Sequence, residues 1–466
     1  MLGAGIKKDL LKKMKNLLQK DQAYIWHPFT QMKDCAANPP IIIKAAKGIK
    51  LFDVNGKEYY DTISSWWCNL HGHRHPKIIK AINRQLAKFD HVMFAGFTHE
   101  PAIKLAEKLV QLNNNDLQKV FFSDNGSTAV EVALKLSFQY WYNLQKPQKT
   151  LFLAFDHAYH GDTVGAMSVS GESIFNQAFK NLMIKTIKIP TPYCCHCPEN
   201  LERESCQIKC IRHLENFLAE QHNQIAAFIL EPLLLAAGGM IIYPAKYLEL
   251  AAALCKKYQV HLILDEVATG FGRTGTMFSY QQTSIQPDFL CLAKGLTNGM
   301  LPLAVTLTTN NIYNAFYDDF LAQKTFYHGH TFTANPIAVS AALANLKIFE
   351  KENTLQNVKQ IEAVFNQELV RFKDLPFIGD VRYLGVVAAF ELIKDKSKNI
   401  SFAFEERIGQ KIYLKGLEFG LILRPLGNVV YLFLPLVTTK KQLYDILLKL
   451  EMVFSYLYIF LQSKKI

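Results

Sequence analysis

Cysteine is scarce in this chain, with nine among 466 residues, too dilute for a small domain held together by disulfides. The number is odd, so a fully paired framework within one chain is excluded, and a reducing compartment is the expected setting. Near the N-terminus there is no uninterrupted apolar core of about seven to fifteen residues, which a secretory signal needs. The apolar stretch at residues 452–461 falls far short of the roughly twenty residues that span a bilayer, and it is expected to form a buried terminal helix. No repeat period and no low-complexity linker is present. What remains is ordinary for a globular protein, half hydrophobic and 20% charged, which excludes a disordered or collagen-like chain. The expectation is a cytoplasmic protein of two or three packed units, at roughly 150 residues per domain.

The formal net charge of +12 keeps anionic partners in view. Lys7, Lys8, Lys12, Lys13, Lys15 and Lys20 crowd the start of the chain, and Leu10, Leu11, Met14, Leu17 and Leu18 recur at spacings of three and four. That is an amphipathic surface helix. Elsewhere the basic residues are dispersed among acids, and no recognition helix or single-strand-binding motif occurs. Neither nucleic acid nor a membrane is the expected partner.

Short apolar runs alternate with helical patterns from about residue 105 to 345. The runs cover residues 120–122, 151–154, 226–230, 262–264, 289–293 and 304–306. Strands buried on both faces read as continuous apolar runs, and their alternation with helices predicts an α/β fold with a mainly parallel sheet. Residues 346–466 read as a smaller α+β unit, with a long helix over 346–372 and strands near 385–392 and 429–434. The expected division is a large α/β unit over 71–345 and a small unit built from both chain ends, with 1–70 packing on it.

In open parallel sheets the ligand sits beyond the carboxyl ends of the strands. One such end carries Asp265-Glu266 and another Lys294, 29 residues later, about one strand–crossover unit. Either residue alone is usually a solvated charge. Together they suggest a lysine that condenses with an aldehyde and an aspartate that keeps a pyridine nitrogen protonated, the contribution a protein makes to pyridoxal phosphate chemistry. A phosphate cup is available in Ser123-Asp124-Asn125-Gly126-Ser127-Thr128, between an apolar strand and a helix opening at Ala129. Plain helix capping by Ser and Asn accounts for such a stretch equally well. Tyr159, in Ala158-Tyr159-His160-Gly161-Asp162, offers an aromatic wall for the ring.

The stretch from Asp265 through Val267-Ala268-Thr269-Gly270-Phe271-Gly272-Arg273-Thr274-Gly275, followed by Ala293-Lys294-Gly295-Leu296, resembles the class III aminotransferases of the fold-type I pyridoxal phosphate enzymes. The likeness runs from about Trp26 to Leu434. It tightens at Trp26-His27-Pro28-Phe29-Thr30-Gln31-Met32, Ser64-Ser65-Trp66-Trp67, Tyr159-His160-Gly161-Asp162-Thr163 and Arg424-Pro425-Leu426. These stretches are most similar to members that aminate 8-amino-7-oxononanoate in biotin synthesis.

The resemblance implies that Lys294 binds the cofactor's aldehyde and moves the proton, that Asp265 pairs with the pyridine nitrogen, and that Gly126 and Ser127 hold the phosphate. It implies a homodimer with sites at the interface, in which His330 and Thr331 reach the phosphate of the neighbouring subunit. Phe29, Trp66, Tyr159, Lys294, Gly329 and Arg424 match substrate-contacting positions. A guanidinium at Arg424 can grip the keto acid's carboxylate in two parallel hydrogen bonds. The implied amino donor is S-adenosyl-L-methionine, with L-lysine as the alternative, or the chain acts on another ω-amino acid or diamine.

The sequence departs from the pattern at four places, one of them His328-Gly329-His330-Thr331, where relatives carry proline before the threonine and which resembles members that use L-lysine as donor. Phe29 stands where several relatives carry tyrosine, Leu235-Ala236 where Gln-Gly is usual, and Asn125 where the phosphate loop often has serine. One motif lies outside the resemblance. Cys194-x-x-Cys197 followed by Cys206-x-x-x-Cys210 is near the spacing of a structural zinc site. It reads more readily as a loop of reduced thiols with nothing bound, with a disulfide as the remaining alternative, and no catalytic metal is expected.

Overall fold

The computed structural model describes residues 4–463. Met1 to Gly3, and the side chains up to Leu11, lie outside the described residues, so the apolar stripe expected there is visible only from Lys12 onward. The backbone is helical over Ala4–Tyr24.

Three short antiparallel strands come first: β1 (Ile43–Lys47), β2 (Lys50–Asp53) and β3 (Glu58–Tyr60). The central sheet has seven strands: β4 (Lys119–Ser123), β5 (Leu151–Phe155), β6 (Thr186–Ile189), β7 (Ile225–Leu230), then β10 (His261–Asp265), β11 (Phe289–Leu292) and β12 (Ala304–Thr308). Between β7 and β10 lies a small ribbon of β8 (Leu234–Leu235) and β9 (Ile241–Ile242). The order across the large sheet is β4-β12-β11-β10-β7-β5-β6. Neighbours are parallel from β11 through β6, whereas β12 runs antiparallel to both β11 and β4. The expected mainly parallel sheet is therefore present. Every residue of β7, β10, β11 and β12 is buried, which is why these strands read as unbroken apolar runs. Each fully buried Leu or Ile contributes about 1.5–3 kcal/mol.

The C-terminal sheet pairs β13 (Ile378–Leu384) with β14 (Val387–Asp395), flanked by β15 (Ile400–Ser401) and β16 (Val429–Phe433). The N-terminal strands dock there. Tyr60 N donates to Gly420 O at 2.8 Å, and Thr62 Oγ1 to Ile422 O at 2.6 Å.

Two expectations need correction. The long helix over 346–372 is three pieces, Pro336–Lys351, Thr354–Glu368 and the 3-10 turn Leu369–Asp374. Asn353 adopts a left-handed φ of 48° that stops one helix and starts the next, a conformation asparagine tolerates well. The terminal helix is Lys440–Ser463, long and apolar enough by composition to cross a membrane. It buries Leu443, Ile446, Leu447, Leu450, Val453, Phe454 and Leu457 while Met452, Tyr456 and Ile459 are exposed. It is thus half-buried along one stripe rather than wholly buried.

Candidate active site

Strands β10 and β11 are parallel neighbours in which Asp265 lies opposite Cys291. Asp265 closes β10, and the chain leaves β11 at Leu292 to reach Lys294 two residues later. Register, not sequence distance, therefore sets the acid and the amine side by side. Both line a cavity of about 750 Å³ with Asp124, Asn125, Gly126, Ser127, Tyr159, His160, Asp162, Glu231, Val267 and Trp67.

Lys294 opens a 3-10 turn with φ +42°. A non-glycine residue in this region is strained, and such strain persists where the surroundings over-determine the backbone. Its Nζ lies 5.0 Å from the Trp67 ring centroid. Desolvation holds the amine below its ordinary basicity, while Asp265 and Glu231 act in the opposite sense. Asp265 is buried and accepts hydrogen bonds from His160 Nδ1 at 2.8 Å and Val267 N at 3.0 Å.

Across the cavity begins the helix Gly126–Asn143. Asn125 and Thr128 cap each other, through Thr128 N to Asn125 Oδ1 at 3.2 Å and Asn125 N to Thr128 Oγ1 at 3.1 Å. The helix capping that the sequence allows at this stretch is thus realised by Asn125 and Thr128. The N–H groups of Gly126 and Ser127 have no partner within the helix. The walls press closely at this point: a Cβ on Gly161, where φ is +127°, would lie 2.1 Å from Ser127 Oγ.

Tyr159 donates its hydroxyl to Asp162 Oδ2 at 2.9 Å and its N–H to Glu231 Oε1 at 3.2 Å. Burial and the neighbouring Asp162 push the phenol well above its usual range. Glu231 is fully enclosed, and burial with the nearby Asp265 pushes its carboxyl up to about 8.

A second group forms the outer rim. Arg424 lies over Trp66 at 4.4 Å, and Phe29 meets Trp66 edge-on at 5.6 Å and Phe175 at 5.4 Å. Phe175 lines a smaller cleft of about 150 Å³ that shares Tyr159, Gly161 and Asp162 with the main cavity. Ser64, Ser65, Trp66 and Trp67 all have positive φ, 51°, 47°, 68° and 72°. This left-handed turn sends Trp67 inward, 4% exposed, and Trp66 outward, 38% exposed. It is fastened by the buried Arg273, whose guanidinium donates to Ser64 Oγ, Trp67 O and Asn69 O, each at 3.0 Å.

Gly329, His330 and Thr331 do not line the cavity within this chain. His330 Nδ1 lies 3.8 Å from Asp124 Oδ2 at its edge, and Gly329 and Thr331 are exposed. Phe29 is 47% exposed with φ +50°. Leu235 is fully buried in the core, so the apolar residue there is explained by packing.

Sequence reasoning missed Glu231, Trp67 and Asp162 as cavity residues and gave His160 no task. The signal for Glu231 was the one used for Asp265, an acid at the carboxyl end of an apolar strand.

Residues 32–454 match the family described as Aminotransferase class-III. The chain is 45% identical over 431 residues to the adenosylmethionine-8-amino-7-oxononanoate aminotransferase of Aquifex aeolicus (strain VF5), covering 92% of this chain and 95% of that one. The crystal structure of the enzyme of the same name from Methanocaldococcus jannaschii DSM 2661 superposes with a TM-score of 0.89 at 42% identity, covering 95% of this chain and 99% of that one. An omega transaminase from Pseudomonas jessenii, solved in complex with PMP, superposes with a TM-score of 0.91 at 31% identity, covering 96% and 99%.

Proposed function

The chain belongs to the class III aminotransferases, and on that footing we propose that it aminates 8-amino-7-oxononanoate to 7,8-diaminononanoate in biotin synthesis, using pyridoxal 5′-phosphate. The observation that carries this reading is the juxtaposition of Lys294 and Asp265 at the ends of adjacent strands, facing a helix N-terminus across one cavity. The relatives' shared name supports the substrate.

The residues fit the cofactor. Gly126 and Ser127 offer unshared N–H groups and a positive helix end to a phosphate, Asp265 offers a buried carboxylate to a pyridine nitrogen, and Lys294 offers an amine of lowered basicity to an aldehyde. Buried Thr163 Oγ1, at the cavity wall, is without a partner. When bound, pyridoxal phosphate supplies an electron sink for the carbon that bears the donor's amino group. Lys294 takes the proton from that carbon at Nζ and returns it elsewhere, a task its depressed basicity suits. Asp265 keeps the ring nitrogen protonated. Tyr159 and Trp67 wall the cavity and exclude water. Arg424 receives the keto acid's carboxylate, and Trp66 with Phe29 gives apolar area that accommodates two dissimilar molecules in turn.

In this reading the protein acts in the cytoplasm as a homodimer, in which His330 and Thr331 contribute to the partner's phosphate site. The exposed Tyr327, Phe332, Phe97 and Leu321 supply apolar surface for that contact.

The experiment is a half-reaction. Protein reconstituted with pyridoxal phosphate is mixed separately with S-adenosyl-L-methionine and L-lysine while the cofactor absorbance is followed. Then 8-amino-7-oxononanoate is added and diaminononanoate measured. Conversion by S-adenosyl-L-methionine is expected. Conversion by lysine alone changes the donor and keeps the acceptor. If diaminononanoate forms with neither, the assigned substrate is wrong. Lys294→Ala must be inactive while remaining folded.

A further inference from the structure

Residues 25–31 join the helix Ala4–Tyr24 to the short helix Met32–Ala37 and carry Phe29 to the rim of the cavity. This stretch has little apolar burial to hold it. Trp26 is 88% exposed, Tyr24 82% and Ile25 50%, and the short helix buries no residue. A helix of six residues is marginal by itself, because nucleation costs more than its few hydrogen bonds return. Phe29 nevertheless holds a left-handed φ of 50°, a region that a bulky side chain avoids. Such strain persists only where the chain is fixed on both sides of it.

Polar side chains supply the fixing. From Asp21 to Phe29 only Asp21 and His27 are shielded from solvent. One donor atom each from Asp21, His27 and Cys35 lies within 4.8 Å of the other two, the one such group among the described residues. Within it His27 Nε2 stands 2.9 Å from Asp21 Oδ2. The three come from different pieces of chain: Asp21 from the last turn of the first helix, His27 from the connection, Cys35 from the short helix. His27 and Cys35 therefore flank Phe29. The neighbouring acid is already engaged, since Asp34 forms a two-pronged pair with Arg407. Cys35 is in no disulfide, and it acts electrostatically on Tyr413, as does Arg424 of the rim.

We propose that Asp21, His27 and Cys35 bind one zinc ion, which clips the two helices together and holds Phe29 on the rim. Thiolate, imidazole and carboxylate are the donors zinc takes, and their bond lengths place them roughly 3.3–3.6 Å apart around a tetrahedral ion. The trio closes to that spacing with side-chain movements of about an ångström. Water completes the fourth position. Cys35 releases its thiol proton to solvent, and Asp21 binds as a carboxylate. His27 stays neutral, with its proton on the ring nitrogen that faces away from the ion. No electron is transferred. Calcium and magnesium do not suit the site, because they prefer oxygen ligands throughout. Metal binding is independent of which substrate the enzyme takes.

The test uses the full-length protein loaded with pyridoxal phosphate, stripped of metal and titrated with zinc sulfate against a chromophoric chelator. About one zinc per chain should bind, and Cys35→Ser and Asp21→Asn should each weaken it at least about tenfold. Cys197→Ser, in the separate cysteine-rich loop, should leave it unchanged. Cobalt(II) in zinc's place should give the visible bands of a tetrahedral site, with a thiolate band that Cys35→Ser removes. Stripping the metal should raise the wild-type KM for 8-amino-7-oxononanoate by about two- to tenfold, reversed by zinc, and leave Cys35→Ser unaffected. The metal count and the cobalt spectrum decide the site whatever the substrate proves to be. No zinc bound would overturn the proposal. So would zinc bound equally by Cys35→Ser, or zinc lost in Cys197→Ser. Zinc bound at the trio with no effect on KM would overturn its hold on Phe29.

Discussion

His160 Nδ1 lies 2.8 Å from Asp265 Oδ2, and both side chains are buried. A carboxylate only accepts, so Nδ1 carries the proton, while Nε2 of the same ring is buried without a partner. The imidazole thus fixes one oxygen of Asp265 while Val267 N fixes the other.

Loss of that orienting bond is predicted to act on turnover. His160→Ala should lower kcat by roughly tenfold to hundredfold, the worth of about 1.5–3 kcal/mol for a hydrogen bond to a charged group. The KM for either substrate should change little. Steady-state kinetics on the reconstituted enzyme test this, and a selective rise in KM would assign His160 to substrate binding instead.

Arg424→Ala should raise the KM for the keto acid by about tenfold to hundredfold and leave the donor's KM within a few-fold. Arg424→Lys should recover only part, since an ammonium cannot form the two parallel bonds. Equal effects on both substrates would remove Arg424 from carboxylate recognition, leaving its 4.4 Å stack on Trp66 as its role.

Glu231 gives a pH signature. Its folded value of about 8 stands above the ordinary 4.5, so between these limits the native chain keeps a proton that the unfolded chain has released. Its stabilisation is fully present below about pH 4.5 and is lost as pH rises through about 8, at no more than about 1.4 kcal/mol per pH unit. Glu231→Gln removes this slope and adds a constant loss, because an amide serves only one of the two N–H donors, Tyr159 and Ala236. Unfolding midpoints of both proteins from pH 5 to 8 should converge or cross as pH rises. A constant gap would contradict the assignment.

Arg382→Ala should cost about 3–5 kcal/mol of stability, since it leaves the half-buried Glu391 and two carbonyls without their cation. Chemical denaturation reads this directly, and a loss under about 1 kcal/mol would show that the network relaxes or fills with water.

Much of this protein was legible in the sequence because the information was local. Unbroken apolar runs in β7, β10 and β11 are required of strands covered on both faces. A charged residue where such a run stops, as at Asp265 and Lys294, marks the edge at which a parallel sheet binds its ligand. Other features depended on what the chain meets in space. The sequence offered no reason for four consecutive left-handed residues at Ser64–Trp67, because the buried Arg273 guanidinium that holds them arrives from two hundred residues away. The break at Asn353 and the exposed stripe of the last helix follow from which neighbours pack there. The antiparallel β12 and the pairing of His160 with Asp265 are likewise contacts between distant segments. Composition and periodicity decide which residues must be buried; only the packed chain decides which buried groups face each other, and the chemistry resides in those encounters.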